Sequence, residues 1–188
     1  MSAGLAKLEN IVSDLIPPYG THGLEHTMRV YKTSIALGKI LKADLSILFP
    51  AVLLHDVVRG GEDHALVSSD KAGAILRDLD YSEDLIEEIS KTINAHSFSA
   101  GRMPESLEAK ILSDADKLDA IGALGVYRAA MYSAEHERPL EDYIAHFSEK
   151  LLTLKDILFT DEARRMAESR HRVLLQYLIQ IEDELNPR

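Results

Sequence analysis

Residues Leu45 to Val58 read LSILFPAVLLHDVV. Up to Leu54 only Ser46 interrupts the apolar run, so a helix built on this stretch offers water no polar face and belongs at the centre of a bundle. The run is too short, and too broken by Pro50, to cross a bilayer. At its end stand His55 and Asp56. Burying an imidazole and a carboxylate without partners is costly, so the pair calls for hydrogen bonds, a cation or a metal. A His-Asp dipeptide alone is common, and it reads equally well as a capping aspartate beside a hydrogen-bonded histidine.

Outward from this segment, apolar residues recur at three- and four-residue spacing almost everywhere, and no alternating run is long enough for a strand, so the chain is predicted to be all-α. Upstream, a first helix over about residues 2 to 16 stops before Pro17-Pro18, because proline restricts its predecessor and cannot continue the backbone hydrogen bonding. The turn PPYGT leads into a second helix, from about His22 to Lys42, with Met28, Ile35, Leu37 and Leu41 on its buried stripe. Asp44 is placed to cap the third, central helix, which is expected to run to about Val58. Downstream, Gly60-Gly61 break the chain and Asp63 caps a fourth helix through about Leu79. Ser82 caps a fifth helix reaching about His96 without a full capping box, since Leu85 stands where Glu or Gln would. FSAGRMPES (Phe98–Ser106) reads as a loop, and further helices follow from about Leu107. The C-terminal helices, about 140–185, include the charged amphipathic segment RRMAESRHRVLLQYLIQIEDEL, a packing or dimerisation element.

Composition narrows the function. Thirty-one acidic residues against 21 basic ones give a formal charge of −10 over 188 residues, which disfavours a nucleic-acid polymer as partner and leaves room for a small phosphorylated ligand in a local cationic pocket. Cysteine is absent, so disulfides and thiolate zinc sites are excluded; this suits a reducing, cytoplasmic setting. The start, MSAGLAKLEN, lacks the basic-then-apolar pattern of a signal peptide, and no membrane association is expected. With no visible linker or repeat, a single domain over 1–188 is expected.

Two further segments bear on the His-Asp pair. HGLEH places His22 and His26 four residues apart, on one face of the second helix, and LSDADKLDAIGALG crowds Asp114, Asp116 and Asp119 onto another. Two imidazoles and two carboxylates form the mixed nitrogen and oxygen set that suits a divalent ion, whether manganese, iron, cobalt, nickel, zinc or magnesium. Helical geometry puts Asp116 and Asp119 on neighbouring faces and Asp114 nearly opposite Asp116, where it reads as a cap at the helix start or a partner of a nearby cation.

HGLEHTMRVY, LLHDVVRG, DHALVSSDKAGAIL, NAHSF and DADKLDAIGALGVYR follow one another across about residues 22 to 128. In that order they resemble the HD-domain superfamily of metal-dependent phosphohydrolases, and its small stand-alone hydrolases in particular. The ordered signature H…HD…D falls here on His26, His55-Asp56 and Asp116. The resemblance implies an all-α, single-domain, HD-type helical bundle with one divalent ion held by His26, His55, Asp56 and Asp116. Asp116 matches the family aspartate that is followed by a basic residue and leucine, here Lys117-Leu118; Asp119 is the next candidate.

The resemblance also implies roles around the ion. His64 resembles a non-ligand active-site histidine that donates a proton to the leaving oxygen, and His96 is a second candidate; each also reads as an ordinary hydrogen-bonded histidine. His22 is a helix-start residue near the ion rather than a ligand. Two-metal relatives use two additional histidines, for which His64 and His96 are the candidates; His64 comes early for that pattern, so one essential ion is expected. Arg29, Lys117 and Arg128 are the phosphate-binding candidates, Lys117 also contributing to catalysis, while Arg59 and Lys71 read as solvated surface cations. Tyr127 and Tyr132 read as packing, with stacking on a base as the alternative. The implied reaction is hydrolysis of a phosphoester or phosphoanhydride of a nucleotide or nucleotide-like molecule by a metal-activated water, which Asp56 orients or deprotonates. The rival readings are a di-iron HD-fold oxygenase and a non-catalytic metal- or nucleotide-binding regulatory module. The apolar stripe of the C-terminal segment makes a homodimer an expectation as well.

Overall fold

Each fully buried leucine contributes about 1.5–3 kcal/mol, so the densest run of such residues fixes where a bundle closes. Here that run is the central segment: Leu48, Ala51, Val52, Leu53 and Leu54 have no exposed surface. The structure, a computed structural model, describes residues 3–59, 63–96 and 102–186, with side chains from residue 7 onward. Among these residues are nine α-helices, one 3-10 helix and no strand, as the helical periodicity requires. The chain divides into two compact units, one ending at Ala115 and one beginning at Asp116.

The first unit contains α1 (Ala3–Leu15), α2 (Leu24–Leu41), α3 (Leu45–Leu54), α4 (His64–Asp78), α5 (Glu83–Asn94) and the first nine residues of α6 (Leu107–Asp119). Helix α3 packs against α1, α2, α4 and α5, which accounts for its apolar surface on every side. Asp44 caps it as expected, accepting from Ser46 N at 2.8 Å. The Asp44 amide in turn donates to Glu108 Oε1 at 2.8 Å, tying the start of α6 to the start of α3.

Helices α2 and α3 meet closely at Gly38, where a Cβ would stand 2.7 Å from Leu48 Cδ2. That approach selects small residues for the inner face of α2. Its buried positions are His26, Thr27, Val30, Ser34, Leu37 and Gly38, whereas Met28, Ile35 and Leu41 of the expected stripe are only half-buried.

Asp63 caps α4, its carboxylate accepting from Leu66 N at 3.2 Å. Ser82 stands at the start of α5 but its hydroxyl makes no capping bond; Glu83 and Asp84 in the first turn face the positive end of the helix dipole instead. The expected break at Gly60-Gly61, and the Phe98–Gly101 part of the expected loop, lie outside the described residues.

The second unit contains the end of α6, α7 (Gly122–Glu135), α8 (Leu140–Glu149), a 3-10 helix (Leu151–Ile157) and α9 (Asp161–Leu185). Ala163, Ala167 and Leu174 form the buried face of α9, which packs on α7, α8 and the 3-10 helix. Phe147 is fully buried and stacks on Tyr177 with ring centroids 5.4 Å apart, and Tyr143 Oη donates to Tyr177 Oη at 3.0 Å.

Candidate metal centre

The His-Asp pair emerges where α3 ends. The helix stops at Leu54, four residues short of the expected Val58, and His55 and Asp56 follow at once. Hydrogen bonding shows why the helix does not continue. Val57 N reaches only Leu54 O, at 3.4 Å, and Val58 turns both backbone groups to Ser68 on α4: its amide donates to Ser68 Oγ at 3.2 Å, and Ser68 Oγ donates to Val58 O at 3.1 Å. The side chains of His55 and Asp56 have no exposed surface.

Four of the five histidines of the first unit gather around Asp56. His26, on the first turn of α2, and His55 each place Nε2 3.5 Å from Asp56 Oδ2. His22 Nδ1 is also 3.5 Å from that oxygen, and His96 Nε2 is 3.8 Å from Oδ1. His64, the first residue of α4, stands beside His96 with ring centroids 5.7 Å apart. His22 is not on α2, as its spacing to His26 suggested. It precedes the N-cap, Gly23, in a turn so tight that a Cβ on Gly23 would lie 2.4 Å from Tyr19 O.

Two of these imidazoles are oriented by the same device. His55 Nδ1 lies 2.7 Å from Val52 O, and His96 Nδ1 lies 2.5 Å from Ile93 O, each three residues back at a helix end. A carbonyl only accepts, so Nδ1 carries the proton and Nε2 presents a lone pair, the tautomer of a metal-ligating histidine.

The electrostatics then decide what the cluster can hold. Burial pushes the Asp56 carboxyl up, but the neighbouring His55 imidazole, hydrogen bonds with His22 and His26 and the Arg59 guanidinium outweigh it and hold the group well below the usual carboxylate range. Arg59, read from the sequence as a solvated cation, bonds both Asp56 Oδ2 and His22 Nδ1. Asp56 Oδ1, fully buried, accepts no hydrogen bond among the described residues. With His55 and His96 neutral, their Nε2 lone pairs face the carboxylate and repel it; the protonated rings that would hold it low instead pack imidazolium charges together out of water. A divalent cation satisfies both kinds of donor. Donor atoms about 2.0–2.2 Å from an ion stand roughly 3 Å apart, close to the spacings found here. The donor sets include His22, His26 and Asp56, and His55, Asp56 and His96, each with its ligand atoms within 4.8 Å of one another. The residues fit such an ion, and they include His96, which the sequence offered both as a proton donor and as one of the two additional histidines of a two-metal site.

Of the remaining expected residues, Arg29 is half-buried on α2. Asp114 is fully buried and eighth in α6, so it does not cap the helix start. In the second unit, Asp116 is half-buried near the end of α6. Lys117 is buried, with Nζ 5.0 Å from the centroid of the Phe159 ring. Arg128 is buried as well, and its Nη1 pairs with Asp119 Oδ2 at 3.1 Å.

Comparison with known proteins places this geometry. The chain is 34% identical over 173 residues to YpgQ of Bacillus subtilis, covering 87% of this chain and 84% of that one. The crystal structure of Bacillus subtilis YpgQ in complex with ADP superposes with a TM-score of 0.80 at 29% identity, covering 97% and 98% of the two chains. An HD-superfamily hydrolase from Bacillus thuringiensis matches with a TM-score of 0.74 at 29% identity over 98% and 97%. A protein of Lactobacillus plantarum matches with a TM-score of 0.85 at 26% identity over 100% and 99%. The family model of the HD domain matches residues 23–121, which contain His26, His55, Asp56, His64 and His96 and more than half of the chain, and the chain belongs to the HD domain family.

Proposed function

We propose that residues 1–188 act as one HD-type unit that hydrolyses a phosphoester or phosphoanhydride of a nucleotide or nucleotide-like molecule. The observation that carries the reading is the buried Asp56 carboxylate, with Oδ1 unbonded and four imidazoles within 3.8 Å of its oxygens. That YpgQ, a relative over nearly its whole length, has been crystallised with ADP supports a nucleotide as ligand.

In this reading His26, His55, Asp56 and Asp116 hold one divalent ion, which when bound polarises a phosphoryl oxygen and lowers the pKa of water. Asp116 enters through its place in the H…HD…D order. Asp56 orients or deprotonates the attacking water, with Oδ1 the oxygen left without a hydrogen bond among the described residues. His64 or, once protonated at Nε2, His96 gives the proton to the leaving oxygen; their ring centroids are 5.7 Å apart. Arg29, Lys117 and Arg128 neutralise the phosphate, with Arg59 a further cation at Asp56. The approach of His96 Nε2 to Asp56 Oδ1 favours one rival, a second ion as in a di-iron oxygenase; metal stoichiometry and oxygen consumption separate the two.

The test is a hydrolysis screen of metal-stripped protein reloaded with manganese, cobalt, nickel, zinc or magnesium against nucleoside mono-, di- and triphosphates, cyclic nucleotides and simple phosphate esters. Metal-dependent release of phosphate or pyrophosphate is expected, together with its loss in Asp56→Ala and Asp116→Ala. Nucleotide binding without turnover under any metal would replace the reading with a regulatory module.

A further inference from the structure

The segment that presents the His-Asp pair is neither helix nor strand, so its backbone must find hydrogen bonds elsewhere or leave buried groups unmet. Val58, two residues beyond Asp56, finds both in one hydroxyl. Ser68 Oγ accepts from Val58 N at 3.2 Å and donates to Val58 O at 3.1 Å. Ser68 has no exposed surface, and it sits on the second turn of α4, the helix that begins at His64. Such reciprocal bonding fixes the peptide planes on both sides of Val58. It therefore fixes the exit direction of the chain between Asp56, buried against the histidines, and Arg59, which returns to bond Asp56 and His22.

We propose that Ser68 is a positioning residue for the metal centre, setting the direction of the Asp56 carboxylate and the Arg59 guanidinium through the Val58 backbone. The inference rests on the metal reading above. Without the hydroxyl, the Val58 amide and carbonyl lose partners in a half-buried position, and the segment 55–59 regains the freedom to rotate about its own dihedrals. Partners of this supporting kind are worth about 10- to 100-fold in metal affinity when they are removed. Ser69, adjacent and buried but with no bond to this segment among the described residues, is the natural control.

The experiment is calorimetric titration of the full chain with Mn2+, metal-stripped beforehand, for wild type, Ser68→Ala, Ser68→Cys and Ser69→Ala, with the Mn2+ electron paramagnetic resonance spectrum of each loaded protein. Cysteine is nearly isosteric with serine but a weak hydrogen-bonding group, so it separates the bond from the packing. Ser68→Ala and Ser68→Cys are expected to weaken Mn2+ binding by about 10-fold or more and to alter the spectrum, with Ser69→Ala within about twofold of wild type. Unchanged affinity and spectrum in Ser68→Cys, or an equal loss in Ser69→Ala, would overturn the inference while leaving the metal reading intact. A wild-type protein that bound no Mn2+ would overturn both.

Discussion

Asp56 carries the local charge balance. It is a buried carboxylate kept ionised by what surrounds it, and each neighbour is itself constrained: His55 by Val52 O, His96 by Ile93 O, Arg59 by its own return to Asp56 and His22. Replacing Asp56 with Asn keeps the shape and removes the charge. Mn2+ affinity is expected to fall by on the order of 100-fold or more, measured by competition with a metal-sensitive dye. His64, outside the donor sets around Asp56, is expected to behave differently. His64→Ala should lower kcat by about 100-fold at unchanged Mn2+ affinity, and a parallel loss of both would make His64 a ligand instead. Much of this site was legible in the sequence, because an imidazole and a carboxylate at the end of an apolar helix have few chemical explanations. Arg59 was not legible: which way its side chain turns depends on α3 stopping at Leu54 rather than Val58, and that depends on Ser68 capturing Val58 from a different helix. His22 was misplaced on α2 because its four-residue spacing to His26 is as compatible with the tight turn at Gly23 as with a helix.

The helices follow rules that sequence displays unevenly. Asp44, Asp63 and Thr160 each cap the helix that follows, and the first two could be read from the sequence because an Asp directly precedes an apolar-periodic run. Thr160→Ala removes an acceptor for Ala163 N at the start of α9 and is expected to lower stability by about 1 kcal/mol in urea unfolding. Asp63 does more than cap. Both its oxygens bind the Arg102 guanidinium, which joins the start of α4 to residues after α5, and that contact holds its carboxyl down at about 2. A carboxylate whose folded pKa is depressed contributes stability above its unfolded pKa and loses it as pH falls through the folded one. The contribution of Asp63 should therefore be complete above pH ~4 and fade towards pH 2. Arg102→Ala should flatten that part of the stability–pH curve, and an unchanged acid limb would contradict the pairing. Asp114 was read as a cap because Asp favours helix starts, but α6 begins at Leu107 and Asp114 lies buried within it. Local preference gave way there to tertiary burial, which one chain's composition does not reveal.

At the scale of the whole chain, acidic residues outnumber basic ones, 31 to 21. The formal charge of −10 opposes polymeric polyanions, and saturable binding of a fluorescent DNA or RNA oligomer is not expected in anisotropy titrations at physiological salt. No helix among the described residues is long and apolar enough to cross a membrane. On α9, Val173, Leu175 and Ile179 remain exposed; the homodimer expected from this stripe is read by sedimentation velocity, where a monomer at all concentrations would remove it from the account. The fold class was legible, since apolar residues recur at helical spacing along the sequence and α3 is apolar on nearly all sides. The division after Ala115 was not, because it falls inside α6 with no Gly, Pro or charge run to mark it. The most direct measurement of the central claim is an equilibrium titration of metal-stripped wild type and Asp56→Ala with Mn2+, followed by nucleotide hydrolysis in the same samples. One tightly bound ion and metal-dependent turnover are expected in the wild type, with both lost in Asp56→Ala; hydrolysis that survives either metal removal or the substitution would contradict a metal centre built on Asp56.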